Sequence, residues 1–350
     1  MAKLTIANPI IPPGSTILVT GANGLIASHV VDQFLAFGYK VRGTVRNPAK
    51  CAWMKPCFAS RHPSGELEIV QVSDFGAPGA WDEAVKGVSG IAAVVGGAEL
   101  GMQDIDKALE EEFPWNKSLL QAARNEPSVK SFVYTSSAWA FWTPDPTKKI
   151  KLTEWTFNEE AIRIARSDAS PQEKGMAPFM AFKTILEQRI WEWVKREKPP
   201  FTFNTVHPET VIGECLDPVG QGVSSTNGLV KWVFDGVNLD ILARVPPQWH
   251  CDARDSALLY VAALTMPGVN GERLLGFGER YSWPRVAKIL KELYPNRNIP
   301  TLEENGWDQT EVPNQRAEKL LRGLGQKGWT SLEDSVKACA ESFMSLYQEA

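Results

Sequence analysis

Residues 16–50 read TILVTGANGLIASHVVDQFLAFGYKVRGTVRNPAK, and the order of patterns within them decides the fold. Thr16 to Thr20 is a short β-branched apolar run, Gly24 to Phe37 carries helical periodicity, and Tyr39 to Val45 is a second strand-like run. Between the first strand and the helix lies Thr20-Gly21-Ala22-Asn23-Gly24-Leu25-Ile26-Ala27. A glycine turn opening a helix points backbone N–H groups at whatever anion sits there, so Gly21, Asn23, Gly24, Leu25 and Ile26 are candidate contacts for a dinucleotide pyrophosphate. Ala27 stands where such loops often carry a third glycine, and it is small enough for close helix packing.

The charge after the second strand indicates which dinucleotide. Enzymes that use NAD place a carboxylate there to hold the adenine ribose hydroxyls. Between Asp32 and Glu66 there is no acid, while Lys40, Arg42, Arg46, Lys50, Lys55 and Arg61 fall in the interval. Arg46 and Lys50 follow the strand where a 2′-phosphate would lie, so NADP(H) is the expected cofactor. Asp74, after the third strand, is an adenine contact or a turn residue.

Further along, Leu67 to Val72, Ile91 to Val95, Ser131 to Thr135 and Phe201 to Val206 read as strands, separated by helical patterns of which Ala181 to Arg196 is the clearest. This alternation predicts an α/β Rossmann fold, a doubly wound parallel sheet covered on both faces. Residues 1–210 are expected to form the NADP-binding domain. The Pro-rich polar stretch 142–178, weakly helical around Glu159 to Arg166, is expected to act as a lid. Past residue 210 the strand signal thins and helices are expected at Arg254 to Leu264, Pro284 to Leu293 and Leu332 to Tyr347, so 211–350 is read as mainly a smaller substrate-binding lobe. The formal charge of −4 over 350 residues leaves no basic footprint for nucleic acid, and no apolar run suits a membrane span. Five scattered cysteines and four histidines show no metal spacing, so reduced thiols, no metal and a cytoplasmic monomer or homodimer are expected.

With TGANGLIASHVV, VRGTVRNPAK, Asp74-Phe75, FVYTSSA, FMAFKTILEQ, HPETVIG, DARDSALLYVAAL and GWTSLEDSVK, nearly the whole chain resembles the extended short-chain dehydrogenases/reductases of the dihydroflavonol reductase, cinnamoyl-CoA reductase and fungal aldehyde reductase group. In that family a Ser binds the substrate carbonyl, a Tyr donates the proton, and a Lys four residues later holds the nicotinamide ribose. The resemblance carries the Ser onto Ser137, the Lys onto Lys183, and the Tyr onto Phe179, which has no hydroxyl. It also implies cofactor contacts at Phe75 and Pro208. Further departures are Phe182 before the Lys, and Ala93-Val94-Val95 followed by Gly96-Gly97 after the fourth strand.

By family position Trp139, Phe141, Trp249 and His250 line the pocket and His207 stands near the nicotinamide as a candidate proton donor. Thirteen tryptophans, several in these segments, favour a bulky aromatic or polycyclic ligand. The expected function is NADPH-dependent reduction of a bulky carbonyl or imine in secondary metabolism. The alternatives are a redox-silent cyclase, isomerase or dehydratase that retains NADP(H), an engineered Tyr-to-Phe inactive reductase, and a non-catalytic NADP sensor.

Overall fold

The computed structural model of the chain describes residues 6–94, 96–97 and 99–347. Val95, read above as a strand end and a departure from the family, lies outside the described residues. Seven strands build the main sheet: β1 (Thr16–Val19), β2 (Lys40–Val45), β3 (Leu67–Gln71), β4 (Gly90–Ala93), β5 (Ser131–Thr135), β6 (Thr202–Pro208) and β9 (Arg273–Gly276). They are ordered β3-β2-β1-β4-β5-β6-β9 and every pairing is parallel. This is a doubly wound Rossmann sheet, with its switch point between β1 and β4.

The sheet is parallel because helices cover both faces. One layer joins Val30, Val31 and Phe34 of the helix Leu25–Ala36 to Leu258 and Val261 of the helix Ala253–Thr265. The other joins Leu119 and Leu120 of the helix Ile105–Asn125 to Leu186 and Ile190 of the helix Ala177–Glu197. Each fully buried aliphatic side chain in these layers contributes about 1.5–3 kcal/mol.

Two elements of the second half of the chain return to the first. β9 and the helix Ala253–Thr265 both come from beyond residue 210, and both belong to the Rossmann layers. What does stand apart is a three-stranded sheet, β10 (Glu279–Tyr281), β8 (Gln248–Asp252) and β7 (Thr210–Ile212), with its own core around Phe234, Trp283, Val336 and Phe343.

The stretch 142–178 contains the helices Glu159–Ala165 and Pro171–Lys174, and it is pinned to the body. Asn158 Nδ2 donates to Trp139 O at 2.9 Å, and Arg273 Nη1 donates to Glu154 O and Thr156 O at 2.9 and 2.7 Å. All five cysteines are free, and among the described residues no helix is long and apolar enough to cross a membrane.

Candidate active site

The glycine loop leaves β1 at the switch point. Gly21 has φ of +63°, a conformation that favours glycine. Ala22 N–H donates to Thr44 O at 3.0 Å, drawing the loop against β2 so closely that a Cβ at Gly43 would lie 2.7 Å from that of Ala22. The helix Leu25–Ala36 begins at Gly24 with no side-chain cap and no acid in its first turn. Its first amides and its dipole are therefore left for an anion, and this fits a dinucleotide pyrophosphate. Gln221 reaches across from beyond β7, its Nε2 donating to Asn23 O and Ser28 Oγ at 3.2 and 2.9 Å.

The basic interval divides into two groups. Lys40 pairs with Glu66, Arg42 with Glu68, and Arg61 with Asp32 and Glu214, all within 2.9 Å. Arg46, Lys50 and Lys55 are exposed and have no acid partner among the described residues. Ion pairing thus neutralises three of the cations and leaves charge at the end of β2, where a 2′-phosphate needs it. Asp74 serves a turn, its Oδ1 accepting from Gly76 N–H at 2.8 Å, and Phe75 stacks on Trp81 at 5.2 Å.

At the carboxyl ends of β5 and β6, one wall gathers four of the expected residues. Ser137 caps the short turn Ala138–Ala140, its Oγ accepting from Trp139 N–H at 3.2 Å. The Trp139 ring meets Phe179 edge-on at 6.0 Å. One turn along the same helix, Lys183 Nζ lies 5.7 Å from the Phe179 ring centroid and 5.4 Å from that of Phe182. Nζ also stands 3.8 Å from Glu112 Oε1, and Glu112 Oε2 accepts from Gly97 N–H at 2.9 Å.

His207, Phe141 and His250 do not face this wall. His207 is fully buried, its Nε2 bonded to Glu187 Oε1 at 2.8 Å, and Phe141 packs edge-on against it at 4.8 Å. Glu187 is clamped by Arg273, whose Nε and Nη2 donate at 2.7 and 3.1 Å, and by Ser136 Oγ at 2.8 Å. Burial pushes the His207 pKa down, so the imidazole is neutral inside an ionic cluster and has no face toward a ligand. His250 is also buried, between Glu279 O and Ser335 Oγ. Trp249 lines an open cleft of about 470 Å³ with Lys151, Leu152, Arg280, Glu311 and Val312, its Nε1 donating to Asp308 Oδ1 at 3.0 Å.

Residues 17–214 match the NAD dependent epimerase/dehydratase family, more than half of the chain. The protein belongs to that family. Among its relatives in the family is an aldehyde reductase 2 of Sporidiobolus salmonicolor, 36% identical over 341 residues, spanning 96% of this chain and 98% of the relative. Ketoreductase adrE of Penicillium rubens is 37% identical over 336 residues, spanning 94% and 97%. The fold also matches the structure of yeast methylglyoxal/isovaleraldehyde reductase Gre2 complexed with NADPH, with a TM-score of 0.76 at 22% identity, over 96% of this chain and all of that one.

Glu112, Glu187, Arg273 and Glu209 carry much of the site's electrostatics and were not singled out from the sequence. Glu209 follows Pro208 at the end of β6 and is 7% exposed, with Oε2 accepting from Thr210 N–H. Burial pushes its carboxyl pKa up to about 8. Its signal in the sequence was the single acid within Val206 to Ile212, the stretch that ends the sixth strand.

Proposed function

We propose that this family member is an NADPH-dependent reductase of a bulky aromatic or polycyclic carbonyl or imine, acting as a cytoplasmic monomer or homodimer in secondary metabolism, with Phe179 in the position of the family's tyrosine. The observation that carries the reading is the pairing of an uncapped, acid-free helix N-terminus with the unpaired cations Arg46 and Lys50 beyond β2. Relatives named aldehyde reductase and ketoreductase along nearly the full chain support it.

In this reading, residues 1–210 with the returning β9 and the helix Ala253–Thr265 hold the cofactor. Gly21 to Ile26 hold the pyrophosphate and Arg46 with Lys50 the 2′-phosphate, while Asp74 and Phe75 lie toward the adenine, and Pro208 toward the nicotinamide. When bound, the nicotinamide supplies hydride. Lys183 binds the ribose hydroxyls and contributes positive charge near the reacting oxygen. Ser137 orients the carbonyl, and Trp139 with Phe179 presents the aromatic surface that a planar substrate stacks against.

One observation favours a second reading, a redox-silent cyclase, isomerase or dehydratase that keeps NADP(H). The position of the family's proton donor carries a hydrocarbon ring packed against Trp139. A single experiment separates the two: NADPH absorbance and product mass are followed together against a panel of bulky aryl aldehydes and ketones. Consumption of NADPH with a two-hydrogen mass gain supports reduction, and product without an absorbance change selects the second reading. For cofactor choice, NADPH should bind at least about tenfold more tightly than NADH, with Arg46→Ala erasing most of that gap, as a charge-assisted contact of roughly 1.5–3 kcal/mol requires. Equal affinities for the two cofactors by calorimetry would refute it.

A further inference from the structure

We infer that Glu209 is the proton donor of this site, its buried carboxyl group supplying the proton for which Phe179 has no hydroxyl. The inference rests on the reductase reading and goes beyond it by naming the acid. Its geometry starts from the two adjacent strands whose carboxyl ends meet the wall of Ser137, Trp139, Phe179 and Lys183. β5 leads into Ser137 and Trp139, β6 into Pro208 and Glu209, and the ends of parallel strands are where a doubly wound sheet places its chemistry. Trp139 joins the two. One side of the indole meets Phe179 edge-on at 6.0 Å, and its N–H lies against the Glu209 carboxyl while donating to Gln248 Oε1 at 3.1 Å. Phe179 and Glu209 therefore flank the same ring.

The surroundings keep this carboxyl protonated. Glu209 forms no ion pair among the described residues, unlike the other buried glutamates, Glu112 and Glu187. The titratable groups that face it are Asp308, Tyr281 and Cys251. The first disfavours a second negative charge nearby, and burial holds the other two neutral. Arg280 on β10 is occupied elsewhere, lying 4.4 Å over the Trp249 ring and donating to Thr310 O. Burial is the largest cause of the pKa near 8, Asp308 adds to it, and the hydrogen bonds from Thr210 and Trp139 act against it. A carboxylic acid that stays neutral at pH 7 is matched to proton donation there.

The step balances. Hydride from the reduced nicotinamide forms the new C–H bond at the carbonyl carbon, and the C=O π pair moves to oxygen. That oxygen takes the proton as the Glu209 O–H bond breaks, giving an alcohol, an oxidised nicotinamide and a carboxylate. Water returns the proton to Glu209 after product leaves.

The test uses the full-length protein and the variants Glu209→Gln, Glu209→Asp, Phe179→Tyr and Glu209→Gln/Phe179→Tyr. Without cofactor, the infrared C=O stretch of a protonated carboxyl should persist to about pH 8 and be missing in Glu209→Gln. With NADPH and the aryl carbonyl panel, Glu209→Gln should lose roughly 10²-fold or more in kcat. It should also lose the alkaline fall in rate, while Glu209→Asp keeps part of both. Adding Phe179→Tyr to Glu209→Gln should restore turnover, because a phenol beside Lys183 supplies the same proton; a merely structural glutamate would not be rescued in this way. The proposal is overturned if Glu209→Gln keeps the parent's rate and pH profile, or if the infrared band titrates in the ordinary carboxylate range. If the parent oxidises no NADPH with any carbonyl, the reductase reading itself fails and the proposal falls with it. A parent that reduces carbonyls beside an equally active Gln variant removes only Glu209.

Discussion

Glu187 and Glu209 are the same residue type, both buried, and both tied to β6, yet their pKa values are shifted in opposite directions. Glu187 sits with a guanidinium in bidentate contact, a histidine and a hydroxyl around it. Burial alone would push its pKa up, but the Arg273 guanidinium and the hydrogen bonds from Arg273 and His207 outweigh that and hold it well below the usual carboxylate range. Glu209 is buried too but has no cation beside it among the described residues, so desolvation prevails and raises its pKa to about 8. The difference lies in the partner rather than in depth. A buried carboxyl with a fork of donors is architecture, and one without a cation is available for proton chemistry.

The comparison breaks most visibly by removing the cation. Arg273→Met should cost about 3–5 kcal/mol in urea unfolding, since it strands Glu187 in a low-dielectric interior. Adding Glu187→Gln should recover part of that loss, as a coupled pair requires. An unchanged unfolding midpoint in Arg273→Met would show that Glu187 does not depend on its guanidinium.

A second effect separates the two acids by pH. The unfolded chain releases the Glu209 proton near the ordinary glutamate value of 4.5, and the folded chain keeps it to about 8. Between those limits the native state binds the extra proton, so this residue makes stability fall as pH rises, by about 1.4 kcal/mol per unit. Glu187 works in the reverse direction, because its folded pKa is depressed: its contribution is present at neutral pH and is lost in acid. Subtracting the stability profile of Glu209→Gln from that of the parent should isolate the first slope, and parallel profiles would contradict it.

The smallest effect sharpens the contrast. Asp308→Asn keeps an acceptor for Trp249 Nε1 while removing a negative charge facing Glu209. The Glu209 pKa should then fall by less than roughly one unit, equivalent to at most about 1.4 kcal/mol. The alkaline limb of the rate profile should move down with it, whereas a limb that stays in place would mean that another group titrates there.

The sheet was legible in the sequence wherever apolar β-branched runs alternate with long helical patterns. Five of the six strands read that way lie, within one or two residues, where the described strands lie, and the fourth runs to the undescribed Val95. β7 to β10 were not legible because TVI, QWHCD, RLLG and ERY are too short to show a period. Pairing makes strands of them. Of the site, the glycine loop was readable because its chemistry belongs to the backbone. Ser137, Trp139, Phe179 and Lys183 were named by resemblance, and the structure places them in contact in series, Ser137 with Trp139, Trp139 with Phe179 and Phe179 with Lys183. The histidines misled because sequence does not say which way an imidazole faces. Glu112 was hidden for a related reason: Glu110, Glu111 and Glu112 are adjacent acids, and only helix phase turns the third inward.

The return of β9 also shapes how the chain is made. A nascent chain that has emerged only to residue 210 already holds β1 to β6, but β6 is then an open edge and Glu187 has no guanidinium beside it. Such an intermediate offers unpaired backbone and a buried unneutralised charge at the same place, the kind of exposed strand that recruits other chains. Four residues synthesised much later, Arg273–Gly276, remove both liabilities at once. Completion of the sheet is thereby timed by translation, and a stop codon anywhere before β9 should yield an aggregating fragment in place of a smaller working domain.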